Sequence, residues 1–115
     1  MNRGDIYFAD LEPVRGNGAN KRRPAIIVSN NATNRVAQRL GRGVVTVVPV
    51  TSNTHRILSF HALLPAGTAG LKVDSKAQAE QVRTISIERL GTAIGTVPSE
   101  FMAQVDAALR LHLNL

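Results

Sequence analysis

Three short groups of polar side chains carry the chemistry this sequence could perform: Lys21, Arg22 and Arg23; Thr51, Ser52 and Asn53; and Glu80, Gln81 and Arg83. Arginines beside hydroxyls and an amide can hold phosphate oxygens and the edges of unpaired bases. Without a metal, such a set can act on RNA, which brings its own nucleophile, the 2′-hydroxyl. Cleavage then needs a proton acceptor at that hydroxyl, a donor at the leaving 5′-oxygen and cations around the crowded phosphorane. It leaves a 2′,3′-cyclic phosphate and a 5′-hydroxyl, and DNA survives. These residues permit that chemistry without requiring it.

Other chemistries find less support. The chain has no cysteine, which excludes disulfides, Cys-ligated zinc, iron–sulfur clusters and a cysteine nucleophile. It has no HExxH, GxSxG, P-loop or GxGxxG motif, only a lone GxG at Gly16 and Gly18. A two-metal nuclease needs several converging carboxylates, but the acids here are Asp5, Asp10 and Glu12 near the first strand and five scattered from Asp74 onward. Metal catalysis is therefore disfavoured, and no cofactor is expected. His55 and His61 invite comparison with a two-histidine ribonuclease. The sequence reads them instead as surface residues of a loop and a strand. His112 reads as structural or solvent-facing.

The charge distribution selects a partner class. Fourteen basic and eight acidic residues give a net charge of +6. Nine of the cations, from Arg15 to Lys72, lie in the stretch between Pro13 and Val73, which holds no carboxylate. Such a stretch attracts polyanions, and arginine, the commoner cation here, clamps phosphate in bidentate fashion. The favoured partner is nucleic acid or an acidic protein segment. Aromatic residues are few (Tyr7, Phe8, Phe60 and Phe101), so the stacking platforms of many RNA binders are mostly missing.

The elements that must position these groups follow from periodicity. At 115 residues, 43% hydrophobic and 19% charged, the chain reads as one globular domain over residues 1–115. No signal-like apolar segment opens it and no apolar run could span a bilayer, so a cytoplasmic protein is expected. Asp5–Asp10 alternates as a half-buried strand, with Ile6 and Phe8 on one face and Tyr7 and Ala9 on the other. Leu11–Arg23, with Pro13, Gly16 and Gly18, reads as a long polar loop. Pro24 opens a buried strand, Ala25–Val28. A short helix capped by an asparagine fits Asn30–Arg39, and Val44–Val50 is the most β-prone run. Further strands are expected at Phe60–Pro65, Ser75–Ala79, Gln81–Ile85 and Thr92–Val97. From Pro98 on, Phe101, Met102, Val105, Leu109 and Leu113 recur at helical spacing. The class is mainly β with a C-terminal helix (α+β), a small barrel or half-barrel.

The ordered motifs resemble a known family. Arg3-Gly4-Asp5-Ile6-Tyr7-Phe8-Ala9-Asp10-Leu11, followed by Pro13 and Gly16, is similar to the opening of the MazF/PemK toxins. The same holds for Arg23-Pro24-Ala25-Ile26-Ile27-Val28-Ser29-Asn30, Asn34-Arg35, Pro49-Val50-Thr51-Ser52 and Glu80-Gln81-Val82-Arg83-Thr84-Ile85. Ile94-Gly95, Val97-Pro98, Met102 and Val105 complete a set that runs through almost the whole chain. The resemblance implies an SH3-like twisted β-barrel shared with the gyrase poison CcdB. It implies an endoribonuclease that cuts single-stranded mRNA at a short sequence and arrests growth. It also implies a homodimer and a cognate antitoxin with an acidic C-terminal segment.

On that resemblance Arg23 falls on the family's catalytic arginine and Thr51 on its catalytic threonine, while Ser52 and Gln81 match RNA-contacting positions. An arginine pKa above about 12 makes charge stabilisation its easier role. Glu80 is the candidate base. The candidate RNA contacts are Asn17, Lys21, Arg22, Ser52, Asn53, Arg56, Gln81 and Arg83. The chain departs from many relatives at Asn17-Gly18, where they carry Ser-Glu or His-Glu, and at Gln78, where some carry arginine. Two alternatives stay open: a CcdB-like gyrase poison on the same fold, and an inactive relative that binds antitoxin or RNA.

Overall fold

The computed structural model describes residues 1–11 and 22–115; most of the expected Leu11–Arg23 loop, with Asn17 and Lys21, lies outside the described residues. The described strands are β1 (Asp5–Asp10), β2 (Arg22–Ile27), β3 (Val44–Thr51), β4 (His61–Leu64), β5 (Ser75–Gln78), β6 (Arg83–Ser86) and β7 (Leu90–Thr96). Two helices join them, α1 (Asn31–Leu40) and α2 (Ser99–Leu113), with single 3-10 turns at Ala79–Gln81 and Ile87–Arg89. The strands form one antiparallel sheet in the order β4-β5-β3-β2-β1-β7, and β6 pairs with β3. The expected β class with a C-terminal helix is what the chain adopts. The sheet is twisted and barrel-like but not closed.

β3 explains the long apolar run. Its odd positions Val45 and Val47 join one core cluster, with Ala9, Ala25, Ile27 and Ile85, while Val48 and Val50 join the other, with Ile6, Ile26, Ala62, Leu64 and Ala77. A strand covered on both faces loses the apolar–polar alternation of a half-exposed one. β1 is the half-buried strand expected, but its two buried residues lie on different clusters, Ile6 on one and Ala9 on the other, while Phe8 is exposed. α2 closes the Ile6 cluster with Val105, Phe101, Met102 and Leu109. Burial on α2 ends there, and Leu113, expected on its apolar face, is exposed.

Local chemistry sets the ends of α1. Asn30 accepts the Thr33 N–H at 2.8 Å as N-cap, and Gly41 follows the helix in the left-handed conformation at φ 67°. Arg3 ties the start of β1 to the end of β2 and to α2, donating Nε–H to the Val28 carbonyl at 2.8 Å and pairing with Asp106 of α2 at 2.7 Å.

Two irregularities of the sheet prepare the site. β2 begins at Arg22, two residues before the proline that was expected to open it. The β2–β3 ladder nevertheless stops at Ala25 opposite Pro49. In an antiparallel ladder, hydrogen-bonded and open pairs alternate. Continuing this one would need an N–H from Pro49 in its pair with Ala25, or one from Pro24 in the next pair, and proline supplies neither. Arg22 and Arg23 therefore stay paired with β1 alone, opposite Asp10 and Ala9, while Val50 and Thr51 turn to β5. The second irregularity lies on the other edge of β3. Six steps from Ala77 to Arg83 face three from Val50 to Val47, so the Ala79–Gln81 turn stands out of the ladder as an insertion.

Candidate nucleic-acid cleft

Where β2 and β3 part, a cleft of about 670 Å³ opens. Val50, Leu71, Ile94 and Phe8 give it an apolar floor, and Arg22, Arg23, Thr51, Ser52 and Lys72 stand around it. No carboxylate is among the described residues that line it. Three cations and two hydroxyls over an apolar floor suit a chain of phosphates carrying unpaired bases. Thr51 has a defined hydrogen-bond role: its Oγ1 accepts the Asn53 N–H at 3.2 Å. That bond occupies a lone pair and leaves the hydroxyl hydrogen to donate elsewhere.

The structure thus brings together Arg22, Arg23, Thr51 and Ser52 from the residues singled out in the sequence. Asn53 and Arg56 lie beyond the cleft on the β3–β4 connection, both exposed, with Asn53 Oδ1 accepting the His55 N–H at 3.2 Å. Gln81 is exposed on the inserted turn, and Arg83 on β6 donates Nη1–H to the Leu11 carbonyl at 2.8 Å. Neither lines the cleft.

Glu80 lies outside the cleft as well. Its Oε2 is 3.0 Å from His61 Nε2, and its Oε1 is buried with no hydrogen-bond partner among the described residues. His61 is not the strand-surface residue expected, since its side chain is only 4% exposed. Its Nδ1 accepts the Leu58 N–H at 2.9 Å, so Nε2 carries the ring hydrogen and donates it to Glu80. Alternation placed His61 on the outside of the strand, but the inserted turn brings Glu80 over the ring. His55 is exposed, as expected. Among the described residues no group of three or more His, Asp or Glu side chains could hold a metal ion.

Sequence reasoning missed two cleft residues. Phe8, read only as sharing a strand face with Ile6, is 39% exposed and lines the cleft. Lys72 enters the sequence reading only as one cation of the carboxylate-free stretch. The ladder split could have revealed Phe8, because Pro24 sits directly opposite it. The seat of Arg22 also depends on a glycine: a Cβ at Gly91 of β7 would overlap Arg22 Nη1 and lie 3.4 Å from the Phe8 carbonyl oxygen.

The comparisons with known proteins decide the family. A model described as "PemK-like, MazF-like toxin of type II toxin-antitoxin system" matches residues 2–113. The chain belongs to the PemK/MazF toxin family.

Among curated members of the PemK/MazF family, endoribonuclease MazF9 of Mycobacterium tuberculosis is 56% identical over 115 residues, covering 100% of this chain and 98% of its own. Endoribonuclease EndoA of Bacillus subtilis is 34% identical over 116 residues, covering 100% and 96%. A solved mycobacterial endoribonuclease in complex with its cognate antitoxin superposes with a TM-score of 0.79 at 26% identity, over 100% of this chain and 96% of that one. The open antiparallel sheet with a C-terminal helix is therefore the MazF fold. No helix among the described residues is long and apolar enough to cross a membrane.

Proposed function

We propose that this chain is an endoribonuclease toxin of a type II toxin–antitoxin system, and that the cleft between β2 and β3 is where single-stranded RNA is bound and cut. The convergence of Arg22, Arg23, Thr51 and Ser52 on a cleft lined by no described carboxylate carries the reading. The family match and the endoribonucleases similar over the whole chain support it. The protein acts as a single domain in the cytoplasm, as a homodimer and without a metal. An antitoxin with an acidic C-terminal segment holds it in check by filling a cationic surface. A relative solved with its antitoxin supports that partner.

The chemistry follows from what the cleft offers. The RNA 2′-hydroxyl gives its proton to solvent water as its oxygen bonds to phosphorus, and the bond from phosphorus to the 5′-oxygen breaks as that oxygen takes up a proton from water. Arg23 stabilises the charge that builds on the phosphorane oxygens. The Thr51 hydroxyl, its lone pair engaged by the Asn53 N–H, donates to a non-bridging oxygen. Arg22, Lys72 and Ser52 hold the flanking phosphates, and the Phe8 ring offers a face for a base. Glu80, with one oxygen on His61 and the other buried, is assigned to orienting His61 rather than to proton transfer.

Incubating the purified protein with a long single-stranded RNA in EDTA tests the reading. Discrete cuts with 5′-hydroxyl ends are expected, with the matching DNA intact. Uncut RNA from a folded protein, or a requirement for a divalent cation, would overturn it. A second prediction concerns Arg22. Gly91→Ala pushes aside only the far end of a flexible side chain, so stability should change by no more than ~0.5 kcal/mol. Affinity for the RNA should fall, and the slope of log K against log salt should become shallower by about 0.7, one phosphate contact on a single strand. Titrations at several salt concentrations check this.

A further inference from the structure

Lys76 on β5 is only 8% exposed. Among the described residues its ammonium makes one hydrogen bond, at 2.6 Å to the backbone carbonyl of Arg56, and pairs with no carboxylate. A buried cation with a single neutral acceptor and donors to spare is costly, and an apolar side chain of similar volume would generally serve stability better. Its location suggests what the cation is for. Lys76 is the direct cross-strand partner of Thr51 on one side and of Leu63 on the other. Directly opposed residues project from the same face of a sheet. The neighbouring row, Val50, Ala77 and Ala62, faces the core.

The segment from Ser52 to Phe60 runs on from Thr51, leaves the cleft after Ser52 and is held by side chains of the sheet at two backbone atoms. Lys76 holds the Arg56 carbonyl, and His61, oriented by Glu80, holds the Leu58 N–H. Ser52, Asn53, His55 and Arg56 of this segment are all exposed.

We propose that Lys76 is a positioning residue that fixes the 52–60 segment against β5, so that the side chains following Thr51 meet the nucleotides beside the scissile phosphate and set which RNA sequence is cut. The proposal rests on the endoribonuclease reading. It adds a residue that touches neither RNA nor Thr51 Oγ1 and acts through the backbone of Arg56.

Lys76→Met keeps the stem and removes the charge, and three readouts test it beside the wild-type protein. Amide exchange at residues 53–60 should quicken about tenfold or more, with the thermal midpoint unchanged or higher. KM for a short RNA containing the wild-type site should rise about tenfold, the scale of one charge-assisted hydrogen bond, while kcat changes little. Cuts at additional sequences should appear in a long RNA. A residue that only stabilised the fold would lower the midpoint and leave the cut pattern unchanged. Unchanged exchange at 53–60 would overturn the proposal, as would an unchanged cut map or a loss confined to kcat. Lys76→Leu serves the same comparisons should the methionine protein not fold. If the wild-type protein cuts no RNA, the endoribonuclease reading fails and the specificity role fails with it, while the exchange data still decide whether Lys76 pins the segment.

Discussion

Arg23→Ala is expected to lower RNA cleavage by about 10²–10³-fold, the usual effect of removing one donor aimed at developing charge. Arg23 is exposed at the start of β2, and its backbone pairing with Ala9 does not depend on its side chain. The variant should therefore fold normally, and its melting curve should overlay that of the parent. Because Arg22 and Lys72 still line the cleft, RNA affinity should fall far less than the rate. Thr51→Ala should give a comparable loss of rate. It also leaves the Asn53 N–H without its acceptor, at about 1 kcal/mol. Thr51→Ser keeps the hydroxyl and should retain most of the activity. Single-turnover cleavage, with circular dichroism on the same samples, checks all three. Activity like that of the parent in Arg23→Ala would remove the assignment.

The largest stability effect is expected away from the cleft. Asn34 of α1 is 0% exposed. It accepts the Ser29 hydroxyl at 2.6 Å and donates to the Ser29 carbonyl at 2.9 Å. Ser29 Oγ in turn accepts the Thr46 N–H at 3.1 Å, so one amide joins α1, the end of β2 and β3. Asn34→Leu removes both bonds, with a longer one of 3.4 Å to Asn31 Oδ1, and strands the Ser29 hydroxyl hydrogen and carbonyl in a part-buried place. The expected cost is about 2–4 kcal/mol. At about 4 °C or more per kcal/mol in a domain of this size, the midpoint should drop on the order of 10 °C. A thermal melt measures it, and a shift below about 2 °C would show that the network contributes little.

Elements fixed by local chemistry could be read from the sequence. The asparagine cap of α1, the valine run of β3 and the helical spacing after Pro98 all appear close to where they were expected. Of the site, Arg22, Arg23, Thr51 and Ser52 do share one cleft. What escaped depends on pairing between distant strands. Pro24 reads in sequence as the start of a strand, but a missing N–H ends one ladder and leaves the other intact, so β2 begins at Arg22. Glu80, Gln81 and Arg83 follow Ser75–Gln78 closely in sequence. The three-residue insertion that gives Glu80 to His61 is visible only once β5 and β6 are aligned along β3. The exposure of Phe8 follows from the same split.

The parting of β2 from β3 is a property of the backbone, because proline lacks the proton that would close the ladder. Among the described residues no hinge or lid has to move to make room for a ligand, and the gap between the two strands costs no ordering free energy at the moment of binding. Capture of a polyanion by the cationic rim should accordingly be fast, with a rate that falls steeply with ionic strength. Rim side chains can also be exchanged without closing the opening, which leaves the chain free to change what it reads while keeping the place where it cuts.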